Sequence, residues 1–186
     1  MRLSAIAGLS GLALAFAPAA RADTDKDIPR CFASFDKVLA NEVFGAYPVR
    51  VPATSSPPAA PLVKQGRPHL YRTVIREEAK QGPNFAGHYT MMQIGCGAAT
   101  VCPAIMDTKS GQVFFPPELK NASMLLMDTG DADIRALNYR LDSRLLVVIG
   151  VANDDLRNEG ASYFVWRAGK LSLVRFVPKA KLCERN

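Results

Sequence analysis

Residues 144–150 read Arg-Leu-Leu-Val-Val-Ile-Gly, an apolar run in which no polar side chain interrupts every second position. A strand wetted on one face alternates apolar and polar residues, whereas a strand covered on both faces does not. The run therefore predicts a buried central strand, entered from a turn at Asp142-Ser143. Downstream, residues 161–167 (ASYFVWR) and 170–177 (KLSLVRFV) are rich in β-branched and aromatic side chains, and only Ala168-Gly169 separates them. Two such runs joined by two residues, the second a glycine, predict a hairpin. Phe164 and Trp166 fall on one face of that alternation, which points the single tryptophan toward the core.

Upstream the texture stays extended. Residues 134–141 alternate in part, 124–127 form a short apolar strand candidate, and 104–107 and 113–115 flank the turn Asp107-Thr108-Lys109-Ser110-Gly111 as a second predicted hairpin. Residues 85–95, with Tyr, Thr, Met and Ile, read as a further strand, in which Gly87 signals a bulge or a close backbone approach. Before it, 73–81 (TVIREEAKQ) carries helix formers and stops at Gly82-Pro83. Phe32, Phe35, Val38, Leu39 and Val43 recur at helical intervals within 23–47. Between these two helices, 48–61 holds Pro48, Pro52, Pro57, Pro58 and Pro61, which predicts an extended strap rather than a laddered strand. The expected fold is α+β: a mainly antiparallel meander sheet of six or seven strands with one or two short N-terminal helices. No internal repeat supports a propeller.

The first residues carry an address. Met1-Arg2, an almost unbroken apolar run over 3–17, and Ala20-Arg21-Ala22 have the layout of a cleavable signal peptide, with cleavage expected after Ala22. The run is shorter than the ~20 apolar residues of a bilayer span, and charges interrupt every later apolar stretch. Residues 23–186 are thus expected to be a single periplasmic or secreted domain with no membrane span. The chain has 23 Lys and Arg against 17 Asp and Glu, a formal net charge of +6. Losing Arg2 and Arg21 with the leader leaves 21 against 17, or +4. The basic residues are dispersed, without the clustering and interleaved aromatics of a nucleic-acid footprint.

An even number of cysteines in an exported chain reads first as disulfides. The four are Cys31, Cys96, Cys102 and Cys183, which allow three pairings. The short spacing favours Cys96–Cys102 as a local staple, leaving Cys31–Cys183 to join the two ends of the domain. Zinc is the competing use, but C-x5-C with two remote cysteines and the two histidines, His69 and His88, matches no standard ligand spacing. No metal or other cofactor is implied.

Residues 82–97, Gly-Pro-Asn-Phe-Ala-Gly-His-Tyr-Thr-Met-Met-Gln-Ile-Gly-Cys-Gly, continue through Cys102 to Asp107-Thr108-Lys109-Ser110-Gly111. This segment resembles a family of uncharacterised exported bacterial proteins with an NFAGHY…GCG…C…DxK[ST]G signature. The likeness is close over 74–115 and looser over the rest. Here Ala98-Ala99-Thr100-Val101 lengthens the spacing from Gly-Cys-Gly to the second cysteine. The resemblance implies an envelope or secreted location and a shared fold, and brings no chemistry with it. The motif also reads as a folding device: Asn84 bridges the turn after Pro83, and Gly95 and Gly97 allow positive φ beside Cys96.

These residues admit several chemistries. Cys96 between glycines could act as the nucleophile of a small cysteine-dependent hydrolase, with His88 as base and Asp107 or Asn84 orienting it. Against that, Cys102 is an obvious oxidised partner for Cys96. A thiol–disulfide exchanger would want C-x-x-C at a helix N-terminus. The acidic turns Asp128, Asp131, Asp133 and Asn153, Asp154, Asp155 lack the order of a calcium loop and its closing glutamate. The preferred reading is a non-catalytic binding or inhibitor-like domain, its partner an envelope protein or surface polymer. Tyr47, Tyr71, Tyr163 and Trp166 are the exposed-aromatic candidates, although the alternation with Phe164 points Trp166 toward the core, and Asn84, His88, Tyr89 and the 95–102 loop are the expected site.

Overall fold

The computed structural model describes residues 35, 37–51, 57–127 and 134–182. The run that decides the fold is β6 (Leu145–Ala152), buried at all eight positions as its unbroken apolar sequence requires. One edge of β6 pairs with β7 (Glu159–Arg167), and β7 pairs in turn with β8 (Lys170–Pro178). The opposite edge is shared by β5 (Leu137–Tyr139) at one end and β4 (Ala122–Ser123) at the other. β4 hands the sheet on to β2 (Thr100–Asp107), which also pairs with β1 (Tyr89–Gly97) and with β3 (Val113–Phe114). Every pairing is antiparallel, so the α+β expectation with a mainly antiparallel sheet holds.

Alternation along β6 splits the core in two. Leu146, Val148 and Ala152 join Met91, Ile105, Phe164 and Trp166, so residues from both halves of the sheet meet on one inner face. Leu145, Val147 and Ile149 face the other way, under Phe35, Val38, Phe44 and Leu182. Phe44 belongs to α1 (Asn41–Gly45) and Leu182 to α4 (Lys179–Leu182). A third cluster sets Ile75 and Ala79 of α3 (Arg72–Ala79) onto Met92, Ile94, Ala104 and Met106 of β1 and β2. α2 (Gly66–Leu70), with Pro68 in its first turn, precedes α3 directly and escaped the periodicity because none of its residues is buried.

Two glycines shape the centre. Gly150 (φ +121°) lies opposite Gly160 (φ +152°) across β6 and β7. A Cβ on Gly150 would stand 2.1 Å from the carbonyl oxygen of Ser123 in β4, and one on Gly160 2.2 Å from that of Val177 in β8. Only glycine lets the neighbouring backbones come this close.

The β7–β8 hairpin turns on Ala168 (φ +48°) and Gly169 (φ +82°), the paired left-handed residues of a type I′ turn. Other boundaries differ from the expected ones. Residues 86–88 form a turn, and β1 begins only at Tyr89. Residues 124–127 are a turn closed by the Met127 N–H donating to Met124 O at 2.9 Å. The strand is β4 just before them, and two residues are too short to show a period. The 134–141 run shrinks to β5.

The strap is anchored where it is described. Pro48 bridges to Ser143, and the Ala59 and Leu62 N–H groups donate to Thr108 O and Gly111 O at 2.7 and 2.8 Å. Residues 52–56 lie outside the described residues, as do the Cys31–Cys183 pairing, the 1–22 leader and Asp128, Asp131 and Asp133. No helix among the described residues is long and apolar enough to cross a membrane.

Candidate functional site

The NFAGHY segment builds a corner. Phe85 and Tyr89 exchange both backbone hydrogen bonds at 2.9 Å, which closes a tight turn over 86–88. That turn docks into the 140–143 loop: the Gly87 N–H donates to Leu141 O at 2.6 Å, and the Ala86 N–H faces Ser143 O at 3.2 Å. Gly87 has φ +86°, and a Cβ there would meet Arg50 O at 3.0 Å. The close backbone approach expected at this glycine is present, although it sits in the turn and not within a strand.

Asn84 completes the corner as a false strand. Its side-chain amide donates to Met91 O at 3.1 Å, and its Oδ1 accepts the Met91 N–H at 2.7 Å. Both ends of that amide are spent on backbone, so Asn84 holds the site rather than facing a ligand.

His88 and Tyr89 are left at the mouth. The His88 ring lies 4.3 Å from the Tyr89 ring, and Tyr89 meets Trp166 edge-on at 5.4 Å. Phe114 supports Trp166 from another side at 5.5 Å. Arg144 neighbours Trp166 across the strands, where the Trp166 N–H donates to Arg144 O at 2.9 Å. His88, Tyr89, Arg144 and Trp166, with Val49 and Ala86, line a cleft of about 310 Å³. Arg167 and Ala168 of the hairpin close its far rim.

Burial and the nearby Lys109 ammonium hold the His88 imidazole below its ordinary pKa, with Asp107, 3.7 Å from Nε2, acting the other way. The folded protein therefore favours neutral His88. Since the unfolded chain binds this proton more readily, stability is lost as pH falls from about 6.5 through the folded value. In a proton NMR titration Asp107→Asn should lower the His88 midpoint further and Lys109→Gln should raise it. The opposite order would show that these charges do not control the ring.

Cys96 is remote from His88. It is bonded to Cys102, with Cα atoms 5.9 Å apart, at the tip of the β1–β2 hairpin. Eight residues of extended chain separate Cys96 from His88, on the order of 25 Å at 3.3 Å per residue. The sulfur is oxidised and the imidazole is at the other end of β1, so the structure does not bring this pair together. Gly95 and Gly97 do not take positive φ; the left-handed residue of the hairpin is Ala99 (φ +47°). Cys96 is instead the extra residue of a bulge between Gly95 and Gly97, which swings its side chain toward Cys102. The closed loop is short, so the Cys96→Ser/Cys102→Ser double variant should lose only about 2 kcal/mol in urea melts. A loss above about 4 kcal/mol would show that the staple holds more than its own hairpin.

The remaining candidates are already occupied by the chain. Tyr163 is buried rather than exposed, because it belongs to the cluster under Phe35, Val38, Phe44 and Leu182, and the Arg175 guanidinium of the neighbouring strand stands 5.3 Å from its ring centre. Tyr47 and Tyr71 are half-buried against the helices. Asn153 Oδ1 accepts the Lys120 N–H, Asp154 accepts from Asn121, and Asp155 grips Arg157. A larger groove of about 660 Å³ lies beside α3 and β5, but its Arg140 is committed to Asn41 Oδ1 and Leu39 O.

No protein-family model, no curated protein and no solved structure matches the chain.

Sequence reasoning found His88 and Tyr89 and missed Arg144. An arginine at the head of an apolar run reads as a strand end on the surface. Its one available signal was register, since it falls opposite Trp166 once the β6–β7 pairing is known.

Proposed function

We propose that the protein is a non-catalytic, inhibitor-like binding domain exported to the periplasm or exterior, and that it engages an envelope protein or surface polymer. The observation that carries the reading is the convergence of His88 and Tyr89 with Trp166 and Arg144 on one apolar-walled cleft. The Gly-flanked cysteine lies far from it and is oxidised. Clefts of this kind, mostly apolar with a few polar groups, are the usual form of a ligand site. The leader-like sequence and the disulfide support export.

The test has two arms on the purified mature protein. Thiol counting, native and denatured, should find no free thiol at Cys96, whereas an alkylatable native Cys96 would overturn the non-catalytic reading. Envelope extract, fractionated and added to the protein, should change the fluorescence of the single tryptophan. The change should be lost with His88→Ala and Arg144→Gln. Fluorescence insensitive to every fraction would overturn the cleft as the binding site.

A further inference from the structure

Between Glu42 and Glu77 the chain holds no aspartate or glutamate, yet residues 64–76 carry Lys64, Arg67, Arg72 and Arg76. Along the sequence these cations look dispersed, and the fold draws them together. His69 Nδ1 lies 3.3 Å from Val63 O, which turns the segment before α2 back against its end. Arg72 reaches His69 O at 3.2 Å across the break between α2 and α3. Arg67 stands over the Phe115 ring at 4.5 Å, and Phe115 meets Tyr71 at 5.8 Å. All four cations are exposed, and none enters an ion pair among the described residues. The acids that follow are turned to other partners, Glu77 to Lys80 and Glu78 to Gln81.

The same segment carries aliphatic side chains that the core does not use. Ile75 and Ala79 take the inner side of α3, which leaves Val74 41 % exposed, with Leu70 at 75 % and Leu62 at 60 %. Single exposed leucines are ordinary on a protein surface, but a group of them set among unpaired cations is not. Tyr71 and Phe115, both half-buried, add aromatic surface beside Arg67. Lys and Arg interleaved with aliphatic and aromatic side chains on short helices suit the plane of an anionic bilayer. There the cations meet phosphates, and the apolar groups enter the boundary between headgroups and acyl chains. A soluble polyanion would answer the charge and leave the leucines wet, so the aliphatic side chains favour a bilayer.

We infer that the α2–α3 face docks the protein onto an anionic phospholipid surface. Lys64, Arg67, Arg72 and Arg76 meet the phosphates, and Leu62, Leu70 and Val74 reach the acyl boundary. The contact is peripheral, because α2 and α3 are five and eight residues long, far short of a span. This goes beyond the binding reading above and uses none of the residues of the His88–Trp166 cleft.

The test is sedimentation of the purified mature protein with lipid vesicles. The protein should pellet with phosphatidylglycerol vesicles and stay in solution with phosphatidylcholine vesicles. Salt at about 0.5 M, which screens exposed charges within roughly 4 Å, should weaken the binding. Arg72→Gln/Arg76→Gln should weaken it about 25-fold, at roughly fivefold for each cation near a lipid surface. Lys37→Gln/Lys181→Gln removes the same charge from exposed residues on other helices and should change it little. Leu70→Ser/Val74→Ser keeps every charge and should weaken vesicle binding about tenfold, while binding to dextran sulfate, a soluble polyanion, stays the same. These side chains lie outside the core, so each variant should melt with the parent. No pelleting with phosphatidylglycerol at lipid up to about 1 mM overturns the inference. So does an equal loss from the Lys37 and Lys181 pair, which would show that net charge alone attracts the protein. Vesicle binding that Leu70→Ser/Val74→Ser leaves intact overturns the bilayer and assigns the face to a soluble polyanion. Each of these outcomes leaves the cleft and its tryptophan response standing, so the two readings fail separately.

Discussion

Gly150→Ala is expected to destabilise the protein by about 4 kcal/mol, at the upper end of single-residue effects. The added methyl would sit 2.1 Å from Ser123 O, and that atom is backbone in a paired strand, so it cannot swing aside. Alanine is also strained at φ +121°. Relief would require β4 to leave β6, which would cut the one ladder that, among the described strands, joins the β1–β2 half to the β6–β8 half. For a domain of this size the loss corresponds to a fall in Tm of roughly 10 °C. Gly160→Ala, with its Cβ 2.2 Å from Val177 O, should behave alike. Gly45→Ala is the control, since nothing lies within 4 Å of its Cβ position. Melting within about 2 °C of the parent for Gly150→Ala would mean that the β4–β6 contact is not structural.

Trp166→Ala should cost about 3–5 kcal/mol, the range for deleting a large aromatic from a core. Its ring is where Tyr89, Phe114, Phe164 and Leu146 converge, so removal leaves a cavity that strand backbones on both sides prevent from closing. Trp166→Phe is the more telling variant. It loses volume but also removes a buried N–H that has no protein partner among the described residues, so the two effects oppose, and the net loss should stay below about 1.5 kcal/mol. Equal losses for Ala and Phe in urea unfolding would mean that the indole N–H makes a bond in the native protein.

What the sequence disclosed follows how locally each feature is encoded. β6 was legible because burial on both faces writes itself as an unbroken apolar run. The β7–β8 hairpin was legible because Ala168-Gly169 leaves room for nothing but a two-residue turn. The turn at 86–88 was not: its left-handed pair, Ala86-Gly87, is the same dipeptide, but no strand-like run precedes it to mark a hairpin. It is held by acceptors at 140–143, more than fifty residues away. The 124–127 run was misread because apolar residues can face a core from a turn as well as from a strand; Met127 is buried while Leu125 and Leu126 are exposed. Within the site, His88 and Tyr89 stood out as part of a motif, whereas the role of Arg144 exists only through the register that sets it beside Trp166.

The outer strand β8 has a consequence for handling the protein. It is nine residues long, ends the sheet among the described strands, and exposes Leu173 and Val174 at 56 % and 48 %. A long edge with apolar side chains is a template on which another copy can add its own edge. Lys170 and Arg175 on the strand, followed by Lys179 and Lys181, put like charges on any two such edges brought together. Colloidal stability then rests on repulsion that salt screens within about 10 Å at 0.1 M. Concentrated stocks should stay clear at low ionic strength and turn turbid as salt is raised.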